Sequence, residues 1–221
     1  MTEYGKDVVL KIFFFTLLLD GAAFLINYLP VKITLFSLSI IFFSFTLYFF
    51  RDPDRKLPAD YTLSQIVSPA DGTVVLIEEI PNKYKEIFGN EEKIIQLSIF
   101  LSPLNVHVNR IPFSGIIKYF RYVKGDYIVA FENKASERNE RTEIGIINNK
   151  GQSLLFRQIA GYVARRIVCY LNEEDEVTAG EKFGMIKFGS RADILFKRGT
   201  RVMVNKNSKV KAGKTIIAEF E

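Results

Sequence analysis

The stretch VTAGEKFGMIKFGSRADILF, Val177 to Phe196, decides how the chain is read as a fold. It opens on a small-residue turn at Ala179-Gly180 and continues as two apolar runs, Lys182 to Phe188 and Ala192 to Phe196, with the length and composition of β-strands. Between the runs stands Gly189-Ser190. Glycine weakens a strand and serine adds nothing to a core, so the pair belongs to a turn, a bulge or a chemical event. The turn also has an echo. Val177-Thr178-Ala179-Gly180-Glu181-Lys182 and Val210-Lys211-Ala212-Gly213-Lys214-Thr215 share V-x-A-G-x-x, and an apolar strand follows each.

Working outward, Thr73–Ile80, Lys93–Leu101, Gly115–Val123, Glu143–Asn148, Ser153–Ala160, Arg165–Leu171 and Thr215–Phe220 are apolar or alternating and punctuated by Gly, Asn, Pro or Asp. With the two strands above, they make nine short strands against one expected helix, Asn82–Phe88. The fold class is therefore mainly β, a compact, mostly antiparallel domain with few helices. Small-residue turns like the echoed pair are typical of barrel-sandwich domains, the fold of biotin and lipoyl carriers. Two copies alone do not establish a repeat. A carrier presents its lysine at a hairpin tip, whereas Lys187 in GMIKFGS falls at a strand position.

Ahead of this domain lies a leader of different composition. Residues 1 to 50 hold Lys6, Lys11 and Lys32 against Glu3, Asp7 and Asp20, so all of the formal +5 charge lies in residues 51–221. A basic body suits nucleic acid or an anionic membrane surface, and the apolar leader favours the membrane. Val8 to Leu29 reaches roughly 33 Å as a helix, enough to cross a hydrocarbon core. Ile33 to Phe50 is uncharged and also long enough. Basic residues flank both ends, Lys6 on one side and Arg51, Arg55 and Lys56 on the other, which predicts a hairpin with both ends cytoplasmic. Asp20 weakens the first span, leaving a re-entrant or interfacial hairpin as the alternative. Residues 1–56 thus read as anchor and linker, and residues 57–221 as the β domain. Cys169 is the only cysteine, which excludes an internal disulfide, and one His with one Cys excludes a transition-metal site of the usual His/Cys kind, leaving a carboxylate site that nothing in the spacing suggests. The charged stretch Glu132 to Arg141 is expected to order only against substrate or membrane.

Three constellations could carry chemistry. Ser68-Pro69-Ala70-Asp71-Gly72 has the residues of a β-turn. Phe100 to Arg110, FLSPLNVHVNR, contains His107, the only histidine, so any imidazole chemistry must use it. The third is Gly189-Ser190. A serine after glycine can attack the preceding carbonyl, which glycine leaves unshielded, turning the amide into an ester. A base that then removes the Ser Cα proton expels the ester by β-elimination and leaves dehydroalanine, which hydrolyses to a pyruvoyl group.

Taken together, SPADG, FLSPLNVHVNR and FGSRADILF, preceded by FFRDPDR, resemble the short form of the phosphatidylserine decarboxylase family along nearly the whole chain. The resemblance implies a proenzyme that cuts itself between Gly189 and Ser190 into chains 1–189 and 190–221, with Ser190 becoming a pyruvoyl cofactor. The substrate amine of phosphatidylserine would form a Schiff base with that group, which takes up the electron pair as CO2 leaves, giving phosphatidylethanolamine. The partners implied are phosphatidylserine, an anionic membrane surface and the two chains of one proenzyme. Nucleic acid is not among them, and a homo-oligomer stays open. The location implied is the inner membrane, with the catalytic domain on its cytoplasmic side.

Residue by residue, the resemblance assigns self-cleavage to Asp71 and Ser190, and decarboxylation to His107. The longer forms of the family carry a second histidine where this chain has Arg110. An arginine cannot act as a base near neutrality. Either His107 serves both steps or Asp71 acts on Ser190 without an imidazole relay. Arg110 then becomes a candidate for the substrate phosphate. The competing reading is a membrane-tethered barrel-sandwich module that binds or carries without catalysis. A pyruvoyl decarboxylase of a soluble amino acid is a third, which the leader disfavours.

Overall fold

The computed structural model describes residues 1–126, 138–161, 166–187 and 190–221. Phe188 and Gly189, and residues 132–137 of the charged stretch, lie outside them. The chain divides into two compact units, Met1–Pro53 and Asp54–Glu221.

The first unit holds two helices, α1 (Lys6–Phe24) and α2 (Leu29–Phe49). Pro30 sits in the first turn of α2, where its missing N–H leaves no hydrogen bond unmade. Among the described helices, α2 alone is both long and apolar enough to cross a membrane. The expectation of two comparable spans therefore meets a difference. Helix α1 carries Lys6, Asp7, Lys11 and Asp20 within 19 residues, and charges are costly in hydrocarbon.

The second unit is mainly β, as expected. Its strands are β1 (Gln65–Val67), β2 (Gly72–Pro81), β3 (Lys93–Leu101), β4 (Val108–Arg110), β5 (Gly115–Val123), β6 (Arg141–Ile147) and β7 (Ser153–Ile159). They continue as β8 (Arg166–Cys169), β9 (Glu176–Val177), β10 (Lys182–Lys187), β11 (Ser190–Lys197), β12 (Arg201–Val202), β13 (Lys209–Val210) and β14 (Ile216–Glu219). Eight form one curled antiparallel sheet in the order β13-β2-β3-β11-β7-β6-β5-β9. Two three-stranded sheets, β1-β14-β12 and β4-β10-β8, complete the unit. The inward face of the large sheet carries Val74, Leu97, Ile99, Ile144, Leu154, Phe156, Ile194 and Phe196, all essentially fully buried. Each such side chain contributes about 1.5–3 kcal/mol on leaving water.

Two local differences from the sequence reading have clear causes. The expected helix 82–88 shrinks to α3 (Lys85–Phe88), because the Asn82 side-chain oxygen accepts the Tyr84 N–H at 2.8 Å and holds that segment as a turn. The two strands expected at 182–188 and 192–196 are present, but the second begins at Ser190, and they lie in two different sheets, β10 in the small one and β11 in the centre of the large one. The echoed turns are real partners. Gly180 and Gly213 both adopt positive φ, +85° and +66°, and a Cβ on Gly213 would lie 3.6 Å from Gly180 Cα.

Candidate functional site

Strand pairing brings the three constellations to one end of the large sheet. β3 ends at Leu101, opposite Ser190, and on its other side Thr73 of β2 pairs with Phe100. Asp71, two residues before Thr73, and Ser190 therefore flank the end of β3. They are two strands apart, roughly 10 Å between backbones at ordinary strand spacing. Beyond Leu101, the turn Ser102–Asn105 is fixed by the Asn105 side-chain oxygen, which accepts the Ser102 N–H at 2.8 Å and hydroxyl at 2.9 Å.

His107 is fully buried against this turn. Its Nε2 lies 3.1 Å from the Ser102 carbonyl oxygen, which can only accept, so the contact puts the ring hydrogen on Nε2 and makes Nδ1 the basic nitrogen of the neutral ring. The next residues form β4, which pairs with β10 at Val108–Met185, and Ile186 donates its N–H to the His107 carbonyl at 3.4 Å. The His107 ring is thus tied to the turn that follows β3, and its backbone to β10. Ser190 is fully buried, and its Oγ has no hydrogen-bond partner among the described residues. A buried hydroxyl without a partner is costly.

The SPADG turn is locked by the Ser68 hydroxyl, which donates to the Ala70 carbonyl at 2.6 Å. It is tied to the histidine segment through Pro69, whose carbonyl accepts the Arg110 N–H at 2.9 Å and the Asn109 side-chain amide at 3.4 Å. Asn109 in turn accepts from Gln158 of β7 at 3.0 Å, and Gln158 accepts from Thr142 at 2.9 Å. A buried polar chain therefore runs from the turn into the sheet.

The partner of Asp71 is Arg55, from the linker. The guanidinium grips both carboxylate oxygens, NH2 lying 2.8 Å from Oδ2, and the Ala212 N–H donates to Oδ1 at 2.8 Å. Arg55 also donates to the Ala212 carbonyl at 2.9 Å. Arg110 is buried and donates to the Gly180 carbonyl at 2.8 Å, its Cδ pressed against Gly213. Arg55, Arg110 and Lys182, with Glu181, line one cavity of about 560 Å³ beside the two echoed turns. The structure thus gathers Ser190 and His107 at one edge of β3, and Asp71, Arg55 and Arg110 at the other. The cleavage-site partner Gly189 lies outside the described residues.

Sequence reasoning missed a second buried cluster, on the opposite face of β11. Arg191 and Asp193 are fully buried. The Arg191 Nε donates to Asp193 Oδ1 at 2.8 Å, and a terminal nitrogen donates to Ser98 Oγ of β3 at 2.6 Å. Arg157 of β7 lies 3.8 Å from Asp193. Burial alone would push the Asp193 carboxyl up. The charges of Arg191 and Arg157, with hydrogen bonds from Arg191 and Ser98, outweigh it and hold the group below its ordinary range. Glu143 of β6 behaves the same way, with burial outweighed by Arg141, Tyr84 and Arg157. The signal in the sequence was the charged pair alternating inside RADILF, a spacing that puts both charges on one face of a strand. Among the described residues no group of three or more His, Cys, Asp or Glu is placed to hold a metal ion.

The family model described as phosphatidylserine decarboxylase matches residues 42–218. A phosphatidylserine decarboxylase proenzyme of Chlorobium phaeobacteroides is 44% identical over 221 residues, covering 99% of both chains. One of Chlorobium chlorochromatii is 41% identical over 220 residues and all of both chains. One of Cytophaga hutchinsonii is 46% identical over 187 residues, 85% of this chain and 82% of that protein. The chain is an enzyme of the carboxy-lyase class. It belongs to the phosphatidylserine decarboxylase family.

Proposed function

We propose that this protein is a proenzyme that cuts itself between Gly189 and Ser190 and then decarboxylates phosphatidylserine to phosphatidylethanolamine. The observation that carries the reading is Ser190 Oγ, buried without a partner among the described residues at the first position of β11, with the only histidine at the same sheet end. In the first stage that hydroxyl attacks the Gly189 carbonyl carbon, and the amide nitrogen leaves it with a proton. The Ser190 Cα proton is then removed, a Cα=Cβ double bond forms, and the Ser190 Cβ–Oγ bond breaks, Oγ leaving with the electron pair as an oxygen of the new Gly189 carboxylate. The dehydroalanine left at the head of chain 190–221 takes up water and loses ammonia to become a pyruvoyl group. Asp71 supports this stage, either directly or through His107.

The group fits the position, since a buried serine hydroxyl with no partner among the described residues can be lost, its Cβ becoming the methyl and its Cα the ketone of the pyruvoyl group, without leaving a donor or acceptor unsatisfied. Once formed at residue 190, the group would supply an electrophile for the substrate amine and a sink for the electron pair released with CO2. The residues of the chain do the rest. His107 holds and returns the proton at the substrate carbon, and its burial keeps bulk water from competing. The cavity lined by Arg55, Arg110 and Lys182 suits the substrate phosphate. The apolar helix α2 and the basic body suit an anionic membrane, in our reading the inner membrane with the β domain on its cytoplasmic side. The domains are then anchor and linker, 1–56, and catalytic domain, 57–221.

The test is turnover of phosphatidylserine by the purified protein and by His107→Ala. The expected loss of decarboxylation is at least about a hundredfold. Full activity in the variant would remove His107 from the site, and an uncut, inactive parent chain would favour a non-catalytic module.

A further inference from the structure

Self-cleavage creates a problem that the uncut chain does not have. Before the cut, Ser190 is tethered through residues 188–189 to β10, which is itself paired to β4 and β8. After it, residue 190 is a chain end, and chain ends fray unless they are tied down. The reacting carbon would sit on that end. Fraying by even an ångström would cost rate, because catalysis depends on the reacting group being held against its proton donor.

One residue further along, Arg191 supplies the tie. It is the largest fully buried side chain among the described residues. Its Nε donates to Asp193 on the same strand at 2.8 Å, its terminal nitrogen to Ser98 on β3 at 2.6 Å, and Ser98 also accepts from Gln96 at 3.1 Å. Asp193 is flanked by Arg157 on β7 at 3.8 Å. The neighbours on both sides of β11, β3 and β7, are therefore linked through this charged group. Moving Arg191 out of place would take from buried Asp193 its closest positive charge, leaving Arg157 at 3.8 Å and the Ser98 hydroxyl, and the interior penalises such a loss strongly. A buried Arg–Asp pair is seldom more stabilising than apolar residues of the same volume, so stability alone does not account for it.

We infer that Arg191, with Asp193 and Ser98, is a positioning anchor that holds the new N-terminus of chain 190–221 in register once the Gly189–Ser190 bond is gone. The inference rests on the self-cleavage reading above. It makes the anchor matter for turnover and not for the cut, because the intact chain holds Ser190 from both sides.

The experiment compares the full-length protein with the Arg191→Met/Asp193→Leu double variant, which replaces the pair by apolar residues. Cleavage is followed by intact mass, and turnover of phosphatidylserine by kcat and KM separately. The result expected is a thermal midpoint and cleavage rate close to the parent's, KM within about threefold, and kcat down by about tenfold to a hundredfold. A matured double variant with the parent's kcat would overturn the inference. So would a folded double variant that fails to cut itself. If the double variant does not fold, Arg191→Lys serves instead. It keeps the charge but lacks the fork that spans Asp193 and Ser98, and kcat should fall with cleavage retained. Unchanged kcat there also overturns the anchor. Failure of the parent itself to cleave is a different result and would count against the self-cleavage reading alone.

Discussion

The most informative residue is Asp71, because the sequence pointed to one partner and the fold supplies another. The stretch around His107 suggests an imidazole or Arg110 beside the carboxylate. In the structure the carboxylate is held by Arg55 and by the Ala212 N–H, while Arg110 reaches the Gly180 carbonyl. Arg55 lies 16 residues before Asp71, in a linker whose arginines read as membrane-flanking charge, and no periodicity connects the two. That pairing was illegible because it depends on where a loop returns, not on local pattern. Ser190 and His107, by contrast, stood out in the sequence as candidates, one as a serine after glycine and the other as the sole imidazole, and the family resemblance singled them out. If Arg55 orients the carboxylate for self-cleavage, Asp71→Asn and Arg55→Leu should each slow maturation by about tenfold or more, and the double variant should be little worse than either. Time courses of intact mass measure this. Normal maturation in Arg55→Leu would make the pair structural only.

At the scale of elements, long strands were readable and short ones were not. β3 and β5 match their expected bounds, since nine residues give alternation room to show. Strands β1, β4, β9, β12 and β13 have two or three residues and leave no periodic trace. β4 matters most among them, because its pairing with β10 sets His107 in place. The two strands on either side of Gly189-Ser190 were legible, but not that they join different sheets, because sequence pattern does not say which sheet a strand joins. The echoed turns were visible as a motif, but their mutual packing was not. Gly213 combines a φ of +66° with a Cβ position 2.9 Å from Arg110 Cδ, so Gly213→Ala should lose about 1–2 kcal/mol in urea unfolding. Gly199→Ala, where an added Cβ meets nothing within 4 Å, should change stability by less than about 0.5 kcal/mol. Equal effects of the two would contradict the packing account.

At the scale of the molecule, composition separated an apolar leader from a basic β body, and the chain does divide into a helical unit and a β unit. The leader's two segments looked alike in length, but the charges on α1 set it apart from α2. Within the β unit, the large sheet carries Ser190 at the start of a central strand, where a cut would leave chain 190–221 paired with β3 and β7 on both sides. A break at that position need not release the small chain, which suits an enzyme built from two pieces of one precursor. The most direct measurement is the intact mass of the purified 221-residue chain beside its Ser190→Ala variant. The account predicts two fragments from the parent, divided between residues 189 and 190, the smaller carrying a pyruvoyl end, and a single uncut chain from the variant. Cleavage of Ser190→Ala at the same bond, or a parent chain that stays whole through prolonged incubation, would contradict it.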